Sequence, residues 1–161
     1  MCPAFAALTM YPDTSDYAAE QVDLSEVVGG MKAELRCLLG PKIHLATGRL
    51  PAGGPAPVRA RQDEIVDLLR HLALDAHDAM PAGTVTIRTG RLREVEECVA
   101  LVIHEVPEDE AGEGEGSAGR HKGRSLGLGA SYDTVARAGG HFHGSCRGRE
   151  TVLTICFPPA P

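Results

Sequence analysis

The sequence predicts an α/β (α+β) two-layer sandwich, with helices packed on a mixed, mainly antiparallel sheet. Three observations carry that expectation. In Gln62–Pro81 (QDEIVDLLRHLALDAHDAMP), Ile65, Leu68, Leu69, Leu72, Ala76, Ala79 and Met80 recur at the three- and four-residue steps of an amphipathic helix. Thr84–Thr89 (TVTIRT) alternates strictly as a half-buried strand does, and Glu97–Glu105 (ECVALVIHE) reads as its partner across a turn at Gly90–Arg93. Helical stretches and hairpin strands are also grouped rather than interleaved, with no βαβ alternation.

In chain order, Met1–Gln21 is mixed in composition, and Pro3, Pro12 and Asp13 break any long helix. It reads as an N-terminal segment or the remnant of a preceding helix, and the domain proper is expected from Val22 to Pro161. A helix is predicted from Val22, capped by Asp23 or Ser25, with Leu24, Val27, Val28, Met31, Leu35 and Leu38 in phase and Gly40 at its C-terminal end. Gly29 and Gly30 weaken its middle by roughly 1 kcal/mol each relative to Ala. Lys42–Thr47 reads as a strand and Leu50–Pro57 (LPAGGPAP) as a turn or surface loop. The helix over Gln62–Pro81 follows and is stopped by Pro81 and Gly83.

Val106–Gly123 has no periodicity; it is acidic first, then Gly-rich, then basic, and reads as a short mobile lid. Ser125–Gly129 (SLGLG) leads into a helix through Ala138, which Gly139-Gly140 ends. Strands at His141–Cys146 and Thr151–Phe157, joined around Gly148, complete the domain before Pro158.

Composition narrows the function classes. A chain of 161 residues suits one domain with a real core. Aromatics are 4% and Trp is absent, so that core must be built from Leu, Val, Ile and Ala. A formal charge of −6 leaves no basic surplus to neutralise phosphates, which argues against broad nucleic-acid binding. The 5 cysteines (Cys2, Cys37, Cys98, Cys146 and Cys156) are odd in number and form no C-x-x-C pair. They read as reduced thiols of a cytoplasmic protein rather than a disulfide framework or zinc site. No apolar run reaches the length of a membrane span, and no secretory signal pattern opens the chain.

Two polar patterns could carry chemistry. Asp67, His71, Asp75 and Asp78 form a second stripe on the Gln62–Pro81 helix, beside the apolar one. Such carboxylates are either solvated border residues or the wall of a cleft able to hold Mg²⁺, a hard cation that prefers oxygen ligands. Periodicity does not choose between these. His141 and His143 share one face of a strand, a spacing that suits a transition metal, yet no third ligand is identifiable and an edge position explains them as well. The acidic run Glu105–Glu115 reads as a solvated loop or a contact for a basic partner.

Three stretches carry a family resemblance. LLRHLALDAHDAMPAGTVTIRT resembles an N-box of the form L-L-N-L-x-x-N-A-x-D-A-M-P-x-G-G followed by an alternating strand. KGRSLGLGASYDTVARAGGHF resembles a second glycine box, K-G-T-G-L-G-L, with the helix behind it. SCRGRETVLTICFP resembles a closing hairpin, S-x-x-G-x-G-T-x-F-x-I-x-x-P. VDLSEVV at Val22–Val28 is similar to the segment that usually opens the same domain. In this order they resemble the ATP-binding domain of two-component sensor histidine kinases, in the GHKL ATPase superfamily, over Val22–Pro158.

That resemblance implies a Bergerat-type ATP-binding fold, with ATP and Mg²⁺ as cofactors. It implies Mg²⁺ at Asp75, which stands where the family has its second N-box Asn, and a possible general base at His71, where the first Asn would be. Asp78 and Thr151 join the implied nucleotide contacts, Glu105 stands at the adenine-binding Asp, and the phosphates fall to Lys122, Gly123, Arg124, Ser125, Leu126, Gly127, Leu128 and Gly129. A glycine-rich turn before a helix offers backbone N–H groups to phosphate, and Lys122 and Arg124 offer charge. The same turn could equally start a helix with no ligand.

The sequence also departs from the pattern. IHEVPED replaces the first glycine box, D-x-G-x-G, so Val106 and Pro107 stand in place of flexible residues. No F-x-P-F element occurs between Pro107 and Gly123, and Met1–Gln21 has no room for a dimerising hairpin with its phospho-accepting His. The resemblance thus implies a degenerate domain of a two-component signalling protein, with weak or lost ATP binding, acting mainly through protein contacts. An active Mg-ATP-binding catalytic domain that phosphorylates a His on a separate protein is the alternative, and an anti-sigma-type Ser kinase regulator is another. Implied partners are a phosphoacceptor-His domain, a response regulator, or a sigma or anti-sigma factor, with no nucleic acid and no membrane.

Overall fold

The computed structural model describes residues 20–51, 54–93, 97–108 and 131–160. Along the chain run β1 (Glu20–Asp23), α1 (Leu24–Gly30), α2 (Lys32–Leu39), β2 (Ile43–Arg49), β3 (Pro57–Ala60), α3 (Gln62–Ala79), β4 (Gly83–Leu92) and β5 (Cys98–Pro107). Residues 131–137 are helical (α4), followed by β6 (His141–Arg147) and β7 (Glu150–Phe157). A 5-stranded sheet has the order β2-β4-β5-β7-β6, parallel between β2 and β4 and antiparallel elsewhere. β1 and β3 form a separate antiparallel pair. The expected two-layer sandwich on a mixed sheet is the observed one. The segment 1–19, most of the expected lid and the whole of Lys122–Gly129, expected to bind phosphate, lie outside the described residues.

α3 is the centre of the helical layer. Asp63 and Glu64 sit in its first turn, where carboxylates favour the helix dipole, and Met80 closes it through an N–H bond to Ala76 O before Pro81. Its apolar arc of Ile65, Leu68, Leu69, Leu72, Ala73 and Ala76 is buried. Inward-facing residues of the sheet meet it: Val85 and Ile87 of β4, Val99, Leu101 and Ile103 of β5, and Leu153, Ile155 and Phe157 of β7. Packing is close, since Leu35, Leu39, Leu72, Ala73, Val85, Ile87 and Ile103 surround a void of only about 10 Å³.

α2 lies along one flank of α3. The Arg70 guanidinium binds Glu34 of α2 and also Asp67, 3.0 Å away on its own helix. His77 Nδ1 donates to Leu39 O at 3.0 Å. At the far end of β4, Ser25 and Thr89 share a hydroxyl–hydroxyl bond of 2.6 Å that ties α1 to the sheet.

Several expectations need correcting. The helix predicted from Val22 to Gly40 is two helices. Met31, at φ −99° and ψ 2°, separates them directly after Gly29-Gly30, whose low helix propensity leaves the chain free to turn there. Val22 belongs to β1 and pairs with Val58, and Pro57 opens β3 instead of ending a loop. The turn expected at Gly90–Arg93 does not begin at Gly90, because Gly90, Arg91 and Leu92 stay paired with Ala100, Val99 and Cys98. One parallel crossover also exists: β2 leads through β3 and α3 to its neighbour β4. The strands predicted near the C-terminus are found at His141–Arg147 and Glu150–Phe157, turning at Gly148 with φ 63°.

Gly83 fixes where the end of β5 lies. A Cβ there would sit 2.4 Å from Val106 O and 2.9 Å from Pro107 Cα, so only glycine lets β4 start this close to its partner. Glu108 N–H closes the same corner by bonding to Ala82 O at 2.9 Å. Gly83→Ala is expected to lower unfolding stability by about 2–4 kcal/mol, measured by urea denaturation.

The Arg70 cluster gives a pH signature. Its hydrogen bond to Arg70 holds the Glu34 carboxyl below its ordinary range, and Arg70 is raised by its bonds to Glu34 and Asp67. A depressed carboxylate stabilises the fold above its unfolded-state pKa, and that stability is lost as pH falls through its folded-state pKa. Arg70→Met is therefore expected to lower the denaturation midpoint slightly at neutral pH, and the deficit should shrink below about pH 4.

Candidate functional site

The second flank of α3 carries Glu64, His71, Asp75 and Asp78, spaced so that turns of about 100° bring them to one side. Asp75 is half-buried; His71 and Asp78 are exposed. α4 lies on this flank, because Arg137 Nη2 reaches Glu64 Oε1 at 2.7 Å. α3 is thus held between α2 and α4. The polar stripe read from the sequence lies on the α4 side, except that Asp67 turns toward Arg70.

The sheet supplies a floor. Alternation along β5 turns Val99, Leu101, Ile103 and Glu105 to the helical layer, and Glu105 ends that apolar series as a carboxylate only 5% exposed. Thr151 of β7 stands directly across from it and is 8% exposed. Val85 of β4 flanks Glu105 on the other side, and Cys146 of β6 continues the row beyond Thr151 as an exposed thiol. Glu105, Thr151 and Asp75 each engage a neighbour. A buried carboxylate accepts hydrogen bonds and a hydroxyl both donates and accepts, so the pair can address a ligand that carries both kinds of group.

Wall and floor meet at one end of the molecule. α3 runs into Gly83, and Gly83 pairs with Pro107, so the last turns of α3 lie toward the Glu105 end of β5. The β6–β7 hairpin reaches the same end. On the face of that end turned away from the helices, where the same alternation puts Val106, Arg147 and Glu150, these residues with Pro107 and Arg149 line an open cleft of about 380 Å³.

Of the residues singled out in sequence, Glu105 and Thr151 are brought side by side, and Asp75, Asp78 and His71 share one helix flank. Lys122, Gly123, Arg124, Ser125, Leu126, Gly127, Leu128 and Gly129 lie outside the described residues. His141 and His143 lie exposed on the outer face of β6, an edge strand, while Phe142 between them turns inward against Tyr132, ring centroids 4.5 Å apart. Among the described residues, no group of three or more His, Cys, Asp or Glu is arranged to hold a metal ion, and no helix is long and apolar enough to cross a membrane. Sequence reasoning missed the Glu64–Arg137 pair and the place of Cys146 in the floor. The second was legible in SCRGRET once its register against β7 is known; the first needs the tertiary fold.

No protein-family model and no curated protein sequence matches the chain. Solved structures do. The mycobacterial sensor histidine kinase MprB superposes with a TM-score of 0.63 at 19% identity, covering 89% of this chain and 99% of that one. The Acinetobacter baumannii histidine kinase AdeS gives 0.58 at 17% identity, over 89% of this chain and 68% of that one. Full-length ShkA, solved in complex with AMPPNP, gives 0.60 at 17% identity, over 88% of this chain and 31% of that one. Identity this low speaks for the backbone alone, and the backbone match covers most of the chain: it has the fold of a histidine-kinase catalytic domain.

Proposed function

We propose that the chain works in two-component signalling as a degenerate histidine-kinase-type domain. Its nucleotide cleft keeps its shape, its affinity for ATP is weak or lost, and it acts mainly through protein contacts. One observation carries this reading. Past Glu105, where the family pattern asks for flexible glycines, β5 continues as a paired strand through Val106 and Pro107, locked against Gly83. Proline fixes its own φ and restricts its neighbour, so this backbone cannot yield to admit a base.

The remaining residues take roles in proportion. Glu105, with Thr151 beside it, would accept the amino group of adenine, and Asp75 would be the oxygen ligand for Mg²⁺, which usually keeps one or two protein carboxylates and several waters. Without the metal, the Asp75 and Asp78 carboxylates repel a triphosphate. His71, exposed on the same flank, is the candidate proton acceptor, and Lys122, Arg124 and the Ser125–Gly129 turn would hold the phosphates. When bound, Mg-ATP would supply the transferable phosphoryl group. The partners that suit this reading are a phosphoacceptor-His domain, a response regulator, or a sigma or anti-sigma factor, in the cytoplasm.

The rival reading, an active catalytic domain serving a separate acceptor protein, is favoured by the surviving pairing of Glu105 with Thr151 and by the likeness to ShkA, which holds AMPPNP. Calorimetric titration with Mg-ATP separates them. The degenerate domain is expected to bind no tighter than about 1 mM, or about 4 kcal/mol. Binding in the tens of micromolar, lost in both Asp75→Ala and Glu105→Ala, overturns it in favour of the kinase.

A further inference from the structure

One outer strand of the sheet, β2, is open on its far side: among the described residues no strand pairs with it there. Gly83 N–H donates to Lys42 O, which turns the backbone of Lys42, His44 and Ala46 toward β4 and that of Leu45 and Thr47 outward, because alternate residues of a parallel strand address opposite neighbours. Along this edge, between α2 and β2, runs an open groove of about 510 Å³ with Arg36, Lys42 and His44 among its lining residues. No carboxylate is among them, in a chain whose formal charge is −6. Among the described residues neither Arg36 nor Lys42 forms an ion pair.

We propose that this edge receives an extended acidic segment of a partner protein, which joins the sheet as a further strand beside β2. The inference goes beyond the signalling role above and does not depend on the nucleotide cleft. An added strand takes its main-chain bonds from Leu45 and Thr47 and its selectivity from the side chains on either face. Lys42 and His44 lie on the outer face of β2, and Arg36 overhangs from α2 on the inner side, so acidic groups on both faces of the incoming strand meet a cation. Lysine on an edge also keeps sheets from pairing with their own copies. The two effects agree, since these charges repel a second β2 edge or a basic strand and leave an acidic strand favoured.

The test uses the full ¹⁵N-labelled chain and two short probe peptides, a Glu-Val one of Glu-Glu-Val-Val repeats and a Lys-Val one of Lys-Lys-Val-Val repeats, so that both faces of the added strand carry charge. The Glu-Val peptide is expected to shift the amide signals of Lys42–Thr47 and slow hydrogen exchange at Leu45 and Thr47, while the Lys-Val peptide does neither. Reversing two surface charges with Arg36→Glu and Lys42→Glu together should weaken the Glu-Val complex about tenfold, with the β4–β5 amides unchanged as a check on folding. The proposal is overturned by an absence of protection at Leu45 and Thr47, by equal responses to the two peptides, or by undiminished binding in the double variant. Protection of those amides in the free chain that rises with protein concentration assigns the edge to a second copy and overturns it too.

Discussion

Burial of the apolar arc of α3 against the inner face of the sheet is the constraint from which the other features follow. Removing a Leu side chain from water is worth about 2 kcal/mol, and Leu68, Leu69 and Leu72 of α3 are all buried against the sheet core. With that arc fixed inward, the remaining surface of the helix divides in two. One flank meets α2 through Arg70 and His77; the other, with Glu64 and Asp75, is left to α4. The orientation of every polar group in the candidate cleft is therefore set by hydrocarbon on the opposite side of the same turns.

The floor obeys the same logic with a different period. Period-two alternation commits Glu105 to the face already occupied by Val99, Leu101 and Ile103, so a carboxylate ends a row that is otherwise hydrocarbon. Burying a carboxylate is costly unless it is paired. Glu105 engages a neighbour, with Thr151 across the ladder, and Gly83 keeps β4 and β5 closely paired just beyond it. The same close pairing that presents Glu105 also stiffens the two residues beyond it. A firm floor and a rigid rim come from one local geometry.

How much of this was legible follows from signal length. α3 and β4 are strongly periodic, so their existence and inward faces could be read directly from Gln62–Pro81 and Thr84–Thr89; β5 was legible as a strand in Glu97–Glu105, but its apolar run VALVI does not alternate and leaves its inward face open. β1 and β3 could not: each is 4 residues, one runs straight into a helix and the other follows a Pro- and Gly-rich stretch. The break at Met31 was half-visible, since Gly29-Gly30 marked a weak helix without saying that the chain turns there. Glu105 and Thr151 were placed by motif likeness, and their adjacency needed the register of β5 on β7. The Glu64–Arg137 pair joins residues far apart in the chain, which no local pattern encodes.

The parallel pairing of β2 with β4 has a kinetic consequence. β5, β6 and β7 meet neighbours by antiparallel contacts, several of them between close segments, whereas β2 reaches β4, the strand it pairs with among the described residues, across β3 and the whole of α3. Closing that long loop costs chain entropy before any ladder bond compensates it. During folding β2 should therefore be a late arrival, after the helix it brackets has settled, and the margin of the molecule it forms would be the last to gain its shape.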